Sequence, residues 1–458
     1  MKKERFVLAF FTGCLISAVS LQAQTGKDST KVARSYAINE VVVTGTRSET
    51  DVRHLPMTVS VVGRPQLEAS QQTSVLPVLN SQVPGFFSTS RGVMGYGVAT
   101  GASGQMSLRG IGGPAQAGLP TTGLLVLIDG HPQYMGLMGH PIADAYQTMM
   151  AERVEVLRGP ASVLYGSNAM GGVINIVTRK MQEDGIRTNI NIGAGSYGSI
   201  QTEATNRIRK GRFSSTVTAS YNRTDGHRAD MAFEQYGGYA KLGYDFTDNW
   251  KVWGDVNVTR FNATNPGSVM KPYIDNDQRI TRGMTSFALE NYYEKTSGAL
   301  SFFYNWGDHW INDGYQPGGE PLQYRFNSND QMLGVSWYQS VQLFQGNRLT
   351  VGADYFHFGG EAWNQFFDGH RETSANKSLN EVAGYVDFRQ DIAGGEHFLR
   401  HGLQKLLLGL HPADVLAAVA GAVIIVAEAD HLQRLRTGEM LHPGGEVDVQ
   451  VLVGVVVV

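Results

Sequence analysis

Downstream of residue 187 the chain settles into a two-residue rhythm. Between 251 and 260, Val252, Gly254, Val256 and Val258 fall on one face, and Lys251, Asp255 and Asn257 on the other, with Trp253 out of step. Successive side chains of a strand point to opposite faces, so this pattern predicts a half-buried β-strand. The same reading gives strands at 188–194, 200–209, 213–223, 236–246, 250–261, 284–293, 299–306, 331–343, 349–358 and 381–392, with Gly, Asn and Asp between them. Trp250, Phe261, Tyr292, Tyr293, Trp306 and Phe358 stand near segment ends. Alternating segments of about 10 residues with aromatic girdles fit a transmembrane antiparallel β-barrel. A soluble β-sandwich shares the alternation alone. The polar intervals 262–282 and 308–329 are expected to be outer loops.

Upstream, 152–178 reads as strand, tight turn, small-residue loop and strand. Val154, Val156 and Leu157 supply β-prone positions, Gly159-Pro160 breaks the run, and 173–177 resumes it. Tyr165-Gly166 and Gly171-Gly172 allow sharp turns and close backbone approach. Arg153, Glu155 and Arg158 place charges in a packed unit, so they pair with each other or with something that surrounds it. Further segments precede this one: a strand at 56–62, Leu-Pro-Val-Leu-Asn-Ser-Gln-Val-Pro-Gly at 76–85, Met-Ser-Leu-Arg-Gly-Ile at 106–111, and Leu-Leu-Val-Leu-Ile-Asp-Gly at 124–130.

In this order the segments resemble the plug domain of TonB-dependent outer-membrane receptors. The resemblance implies a mainly β chain: a mixed α+β plug at 48–182, then an incomplete transmembrane antiparallel β-barrel at 183–393. The plug motif falls on Arg109, Gly110, Arg153, Glu155, Arg158, Gly159, Pro160, Tyr165 and Gly166. In the family the charges among them contact the barrel wall and hold the plug reversibly. An internally paired cluster is the plainer alternative.

The N-terminus reads as a signal peptide over 1–23. Lys2, Lys3 and Arg5 precede an apolar core at 6–19, and a small residue stands before Gln24. The core falls short of the ~20 residues that span a membrane. Cys14 sits in a partial lipobox, which leaves a lipoprotein reading open. Residues 24–47 are expected to be flexible and to carry the TonB box at Glu40, Val41, Val42, Val43 and Thr44. The alternative for these valines is the first strand of the plug.

Net charge is −3, which gives no general affinity for nucleic acid. The single cysteine lies in the leader, so the mature chain forms no disulfide. No Ser/His/Asp arrangement, His-Glu-x-x-His or P-loop is recognisable, so the chain is read as no enzyme, with no catalytic residue, resident metal or cofactor. The resemblance instead implies binding and gating in the outer membrane of a Gram-negative bacterium. The partners are then TonB, membrane lipid, and an iron chelate, haem or cobalamin. Two plug loops, 91–104 and 131–141, could face such a ligand, through Tyr96, Tyr134, Met138 and His140. Haem iron accepts His, Tyr or Met. These could equally be ordinary loop residues, and a ferric siderophore is the default ligand.

The barrel pattern stops early. Plugged transporters of this kind use about 22 strands, against the ten segments found here. Residues 401–458 hold no aromatic residue and show no strand alternation, and 394–458 is an atypical tail. A frameshift or rearrangement, an appended domain, and a buried or membrane helix at 406–427 compete as explanations. The first makes the chain a truncated, non-transporting receptor. A plug-bearing fragment that only binds ligand or partner, and a passive porin-like barrel, are the other functional readings.

Overall fold

The computed structural model describes residues 41–42, 50–51, 58–89, 93–95, 106–112, 123–137, 139, 141–159, 161, 165, 169–393, 423–426 and 446–457. Two short strands come first, β1 (Val41–Val42) and β2 (Thr50–Asp51), paired antiparallel. The plug follows: β3 (Val59–Gly63), α1 (Arg64–Ser70), α2 (Val75–Gln82), β4 (Phe86–Ser88), β5 (Met106–Leu108), β6 (Ile111–Gly112), β7 (Leu124–Ile128), β8 (His131–Pro132), β9 (Ala151–Arg158) and β10 (Gly172–Thr178).

The central plug sheet has the order β3-β9-β10-β7-β8. β7 is Leu-Leu-Val-Leu-Ile and is buried along its whole length. Such an unbroken apolar run suits a strand covered on both faces, and β7 runs parallel to β10. Pro65 enters α1 where its missing N–H costs nothing, and the Gln66 side chain accepts a hydrogen bond from Gly63 N at 3.0 Å. Ser74 caps α2 by accepting from Leu76 N at 3.3 Å. α2 then buries Val75, Leu76, Val78 and Leu79 in the main plug core.

From β11 (Gly185–Gly195) the chain runs as an antiparallel meander, each strand beside the next. β12 (Ser199–Lys210), β13 (Phe213–Thr224), β14 (Phe233–Asp245), β15 (Trp250–Thr264) and β16 (Asp277–Tyr292) follow. β17 (Thr296–Asn312), β18 (Tyr324–Val341), β19 (Asn347–Phe366) and β20 (Arg371–Ala393) complete it. Each alternating segment of the sequence lies on its own strand. The strands outrun their expected ends, so the outer loops contract to 265–276 and 313–323. The reason is packing: Phe261, Ala263, Ile280 and Ile311 continue the inward row and cluster with Met94 and Ile142 of the plug.

The tail departs from expectation. β22 (Glu446–Val457) pairs with β20, and β21 (Val423–Val426) pairs with β22. The sequence at 446–451 does alternate, Glu-Val-Asp-Val-Gln-Val, which is the local reason for a strand. The four residues of β21 are strand within the stretch considered for a helix. Among the described residues β11 is paired only with β12, and the sheet is open. No described helix is long and apolar enough to cross a membrane.

Candidate functional site at the plug–wall interface

The inward face of the strands is polar where the plug meets it. Its centre is built on the tight turn after β7. Asp129 and Gly130 both take positive φ there, 47° and 84°. The turn is fixed by the Asn175 side chain, which accepts from Gly130 N at 3.1 Å. Asp129 Oδ1 accepts from Thr178 N at 2.8 Å, and its Oδ2 from the Thr178 hydroxyl at 2.5 Å. Lys241 of β14 reaches in and donates to Asp129 Oδ2 at 2.7 Å and to Thr178 Oγ1 at 2.9 Å. Its ammonium lies 3.8 Å from the centre of the Trp253 ring, a cation–π contact. Burial pushes the Asp129 carboxyl up, but the Lys241 charge and the hydrogen bonds outweigh it and hold the group below its ordinary value. Next to it, burial drives the His131 imidazole down to about 4, assisted by Lys241 and opposed by Asp129. His131 is therefore neutral, with its ring 5.1 Å from Phe303 and 6.2 Å from Trp253.

Other fasteners surround this centre. Gln147 donates to Thr259 of β15 at 2.9 Å and accepts from Ser220 of β13 at 3.0 Å. A Cβ on Gly237 would collide with the Gln147 amide, so glycine there lets the plug come close. Gln235 of β14 donates to Asp144 O at 2.7 Å, and Asn305 of β17 to Pro132 O at 2.6 Å. Gly136 N donates to Asp330 of β18 at 2.8 Å, and Asp330 also pairs with Arg282. Arg179 is 1% exposed and stands 3.7 Å from Glu203 of β12. Burial, with Arg64 and Arg207 nearby, lowers its guanidinium to about 10, so it stays charged at neutral pH.

The residues singled out in the sequence lie elsewhere. Arg153 and Glu155 pair with each other at 2.8 Å inside the plug, and Glu155 is fully buried. Arg109 donates to the Arg158 carbonyl at 3.4 Å. Among the described residues the ion pairs to the wall come from Asp129 and Arg179 instead. Gly110 and Gly159 hold positive φ at the turns, and Tyr165 packs against the cluster of Leu125 and Leu127. Tyr134 packs on that same cluster and meets Phe358 of β19 edge-on at 6.5 Å. Tyr96, Met138, His140, Pro160 and Gly166 lie outside the described residues, as do Glu40, Val43 and Thr44. Val41 and Val42 form β1. Lys241 was legible in part: an inward charge in a barrel strand demands a partner.

Comparison with known proteins agrees with this architecture. Residues 51–173 match the family model of the TonB-dependent Receptor Plug Domain. The chain is similar to the vitamin B12 transporter BtuB of Vibrio vulnificus (strain YJ016), 24% identical over 403 residues, covering 83% of this chain and 61% of that relative. In structure it resembles the ferric yersiniabactin uptake receptor FyuA from Yersinia pestis, with a TM-score of 0.58 at 17% identity, over 73% of this chain and 54% of that one. It also resembles the ferripyoverdine receptor of the outer membrane of Pseudomonas aeruginosa, with a TM-score of 0.60 at 14% identity, over 76% and 52%. The chain thus spans about half to three-fifths of the length of these proteins. Residues 51–173 thus carry a plug of the kind found in TonB-dependent receptors, and the antiparallel wall behind it has the build of the outer-membrane receptors that the chain resembles.

Proposed function

We propose that the chain is a receptor for energy-coupled uptake of an iron complex, haem or cobalamin. Ligand binds at the outer face, TonB pulls on the segment 40–44, and the plug yields. One observation carries this reading. The plug has an apolar core to which the wall adds only Tyr239 and Met284, and it meets the wall through side-chain hydrogen bonds, two ion pairs and smaller apolar clusters. Each such hydrogen bond contributes only about 0.5–1.5 kcal/mol net, so the interface can open without the plug core coming apart. A catalytic role has no support in the relatives, which are named as transporters and receptors. The names of those relatives favour cobalamin or a ferric siderophore over haem. The division into signal peptide (1–23), box segment (24–47), plug (48–182), wall (183–393) and tail (394–458) belongs to the same proposal.

A second reading concerns the chain by itself. The open sheet leaves β11 unpaired on one side among the described residues. Each unpaired backbone group in lipid costs several kcal/mol. On that ground the chain alone binds ligand without transporting it. A passive porin is disfavoured, since a plug occupies the inner face of the wall. The test is accumulation of labelled cyanocobalamin, ferric citrate or haemin by cells whose receptors are deleted, with and without TonB. TonB-dependent accumulation of one solute supports uptake. Binding without accumulation selects the second reading, and neither binding nor accumulation overturns both.

A further inference from the structure

The wall grips the plug unevenly. Side-chain bonds or ion pairs reach the plug from β12, β13, β14, β15, β16, β17 and β18. Among the described residues none comes from β11. On that side a cleft of about 540 Å³ opens between β11 and β12 and the plug's α1, its α1–α2 connection and residues 147–149, with the Gln147–Ser220 hydrogen bond to β13 in its lining. This volume is in the range of small-molecule sites.

Gln72, Gln147, Asn191, Gln201, Ser220 and Asn222 line the cleft with amides and a hydroxyl. Its charges are matched: Arg64 pairs with Glu68 at 2.8 Å, and Glu203 stands 3.7 Å from Arg179. Gln147 is engaged with Ser220 and Thr259, and Asn222 with Gln235, so the cleft offers chiefly the side-chain amides of Gln72, Asn191 and Gln201, with no uncompensated charge. Such a lining substitutes for water around an uncharged polar group without trapping an ion. Asn191, Gln201 and Asn222 lie toward the strand ends at 196–198 and 225–232, and barrels of this kind carry their longer loops on the outer side.

We propose that this cleft is a solute subsite that receives a neutral, hydroxyl- or amide-bearing part of the ligand. The inference rests on the reading of the chain as a plugged receptor. It is tested in the full chain with Cys14→Ser as background and single Gln72→Cys, Asn191→Cys or Gln201→Cys substitutions. Ser328→Cys, on the fastened side and 1% exposed, is the comparison. Neutral, anionic and cationic methanethiosulfonates are applied to outer-membrane vesicles. The cleft positions should react at least about tenfold faster than Ser328→Cys, which labels only through local opening, and the three reagents should agree within about threefold. Equal rates at the cleft and at Ser328→Cys overturn the site. A preference of about tenfold or more for one charge, equivalent to ~1.4 kcal/mol, overturns the neutral class. Three cleft positions keep the test decisive if one variant misfolds. Labelling requires no transport, so expected labelling in cells that accumulate no solute refutes the uptake reading and leaves the subsite standing.

Discussion

Replacing Asp129 by Asn removes the charge that holds Lys241. The two side chains are 11% and 13% exposed, so little water can take the place of the lost partner. At 2.7 Å their attraction is on the order of 6 kcal/mol with an effective dielectric of about 20, and desolvation offsets much of it. Removing one member of a buried pair costs about 3–5 kcal/mol, because the other charge is stranded. Lys241 keeps the Thr178 hydroxyl and the Trp253 face, which places the expected loss near the lower end. The readout is hydrogen exchange at the β7 and β10 amides in the detergent-folded full chain. A loss of about 3 kcal/mol lowers protection by roughly a hundredfold. Lys241→Met and the double variant complete a thermodynamic cycle, and the double should be little worse than either single. A coupling below about 0.5 kcal/mol would refute the view that this pair clamps plug to wall. The pH sign follows from the depressed Asp129 value. Its contribution is complete above the ordinary carboxylate value of 3.8 and is lost as pH falls through the lower folded value.

Three further outcomes are expected. His131, held at about 4 against an ordinary 6.5, stays neutral in the fold while the unfolded chain takes up a proton, so stability is full above 6.5 and falls toward 4. The loss at pH 5 should be about 2 kcal/mol by denaturant midpoint, and His131→Leu should abolish that slope. Leu79→Ala, in the fully buried face of α2, should cost about 2–5 kcal/mol in the same titration. Gly136→Ala would drive a Cβ into the Gln331 carbonyl and weaken the plug–wall contact by about 1–3 kcal/mol, seen as faster proteolysis of the plug with the strands still folded.

The strands were legible because lipid on one side and the plug on the other force a strict alternation. In β15, Asp255, Asn257 and Thr259 are buried, while Val256 and Val258 face out. Their ends were not legible. Ala263 and Ile280 read as loop until Met94 and Ile142 are known to cluster with them. The tail strand at 446–457 was hidden by judging 401–458 on its missing aromatics rather than on the alternation at 446–451. The plug segments were legible as motifs, but their charges were not legible as contacts. Arg153 and Glu155 are two residues apart and settle each other. The pair that reaches the wall, Asp129 and Lys241, is separated by 112 positions and depends on the register of two distant segments. Periodicity within a window carries no information about such a meeting.

The placement of polar and apolar contacts across the interface bears on how it opens. Lys241 lies in the half of β14 that leads into the short turn at 246–249, whereas Phe233, Phe261, Ile280 and Ile311 lie at the long-loop ends. The Asp129–Lys241 clamp therefore lies toward one rim, while the apolar cluster, with the Gln235, Thr259 and Asp330 hydrogen bonds beside it, lies toward the other. A pull from the short-turn side, as in the uptake cycle proposed above, would load the Asp129–Lys241 clamp first. Water entering there can replace each hydrogen bond as it breaks, so the cost of opening is spread over small steps. The apolar cluster behaves differently. Exposing its side chains costs about 1.5–3 kcal/mol each, and water offers nothing in return. If the pull proposed above acts from the short-turn side, the apolar cluster is the last contact to part.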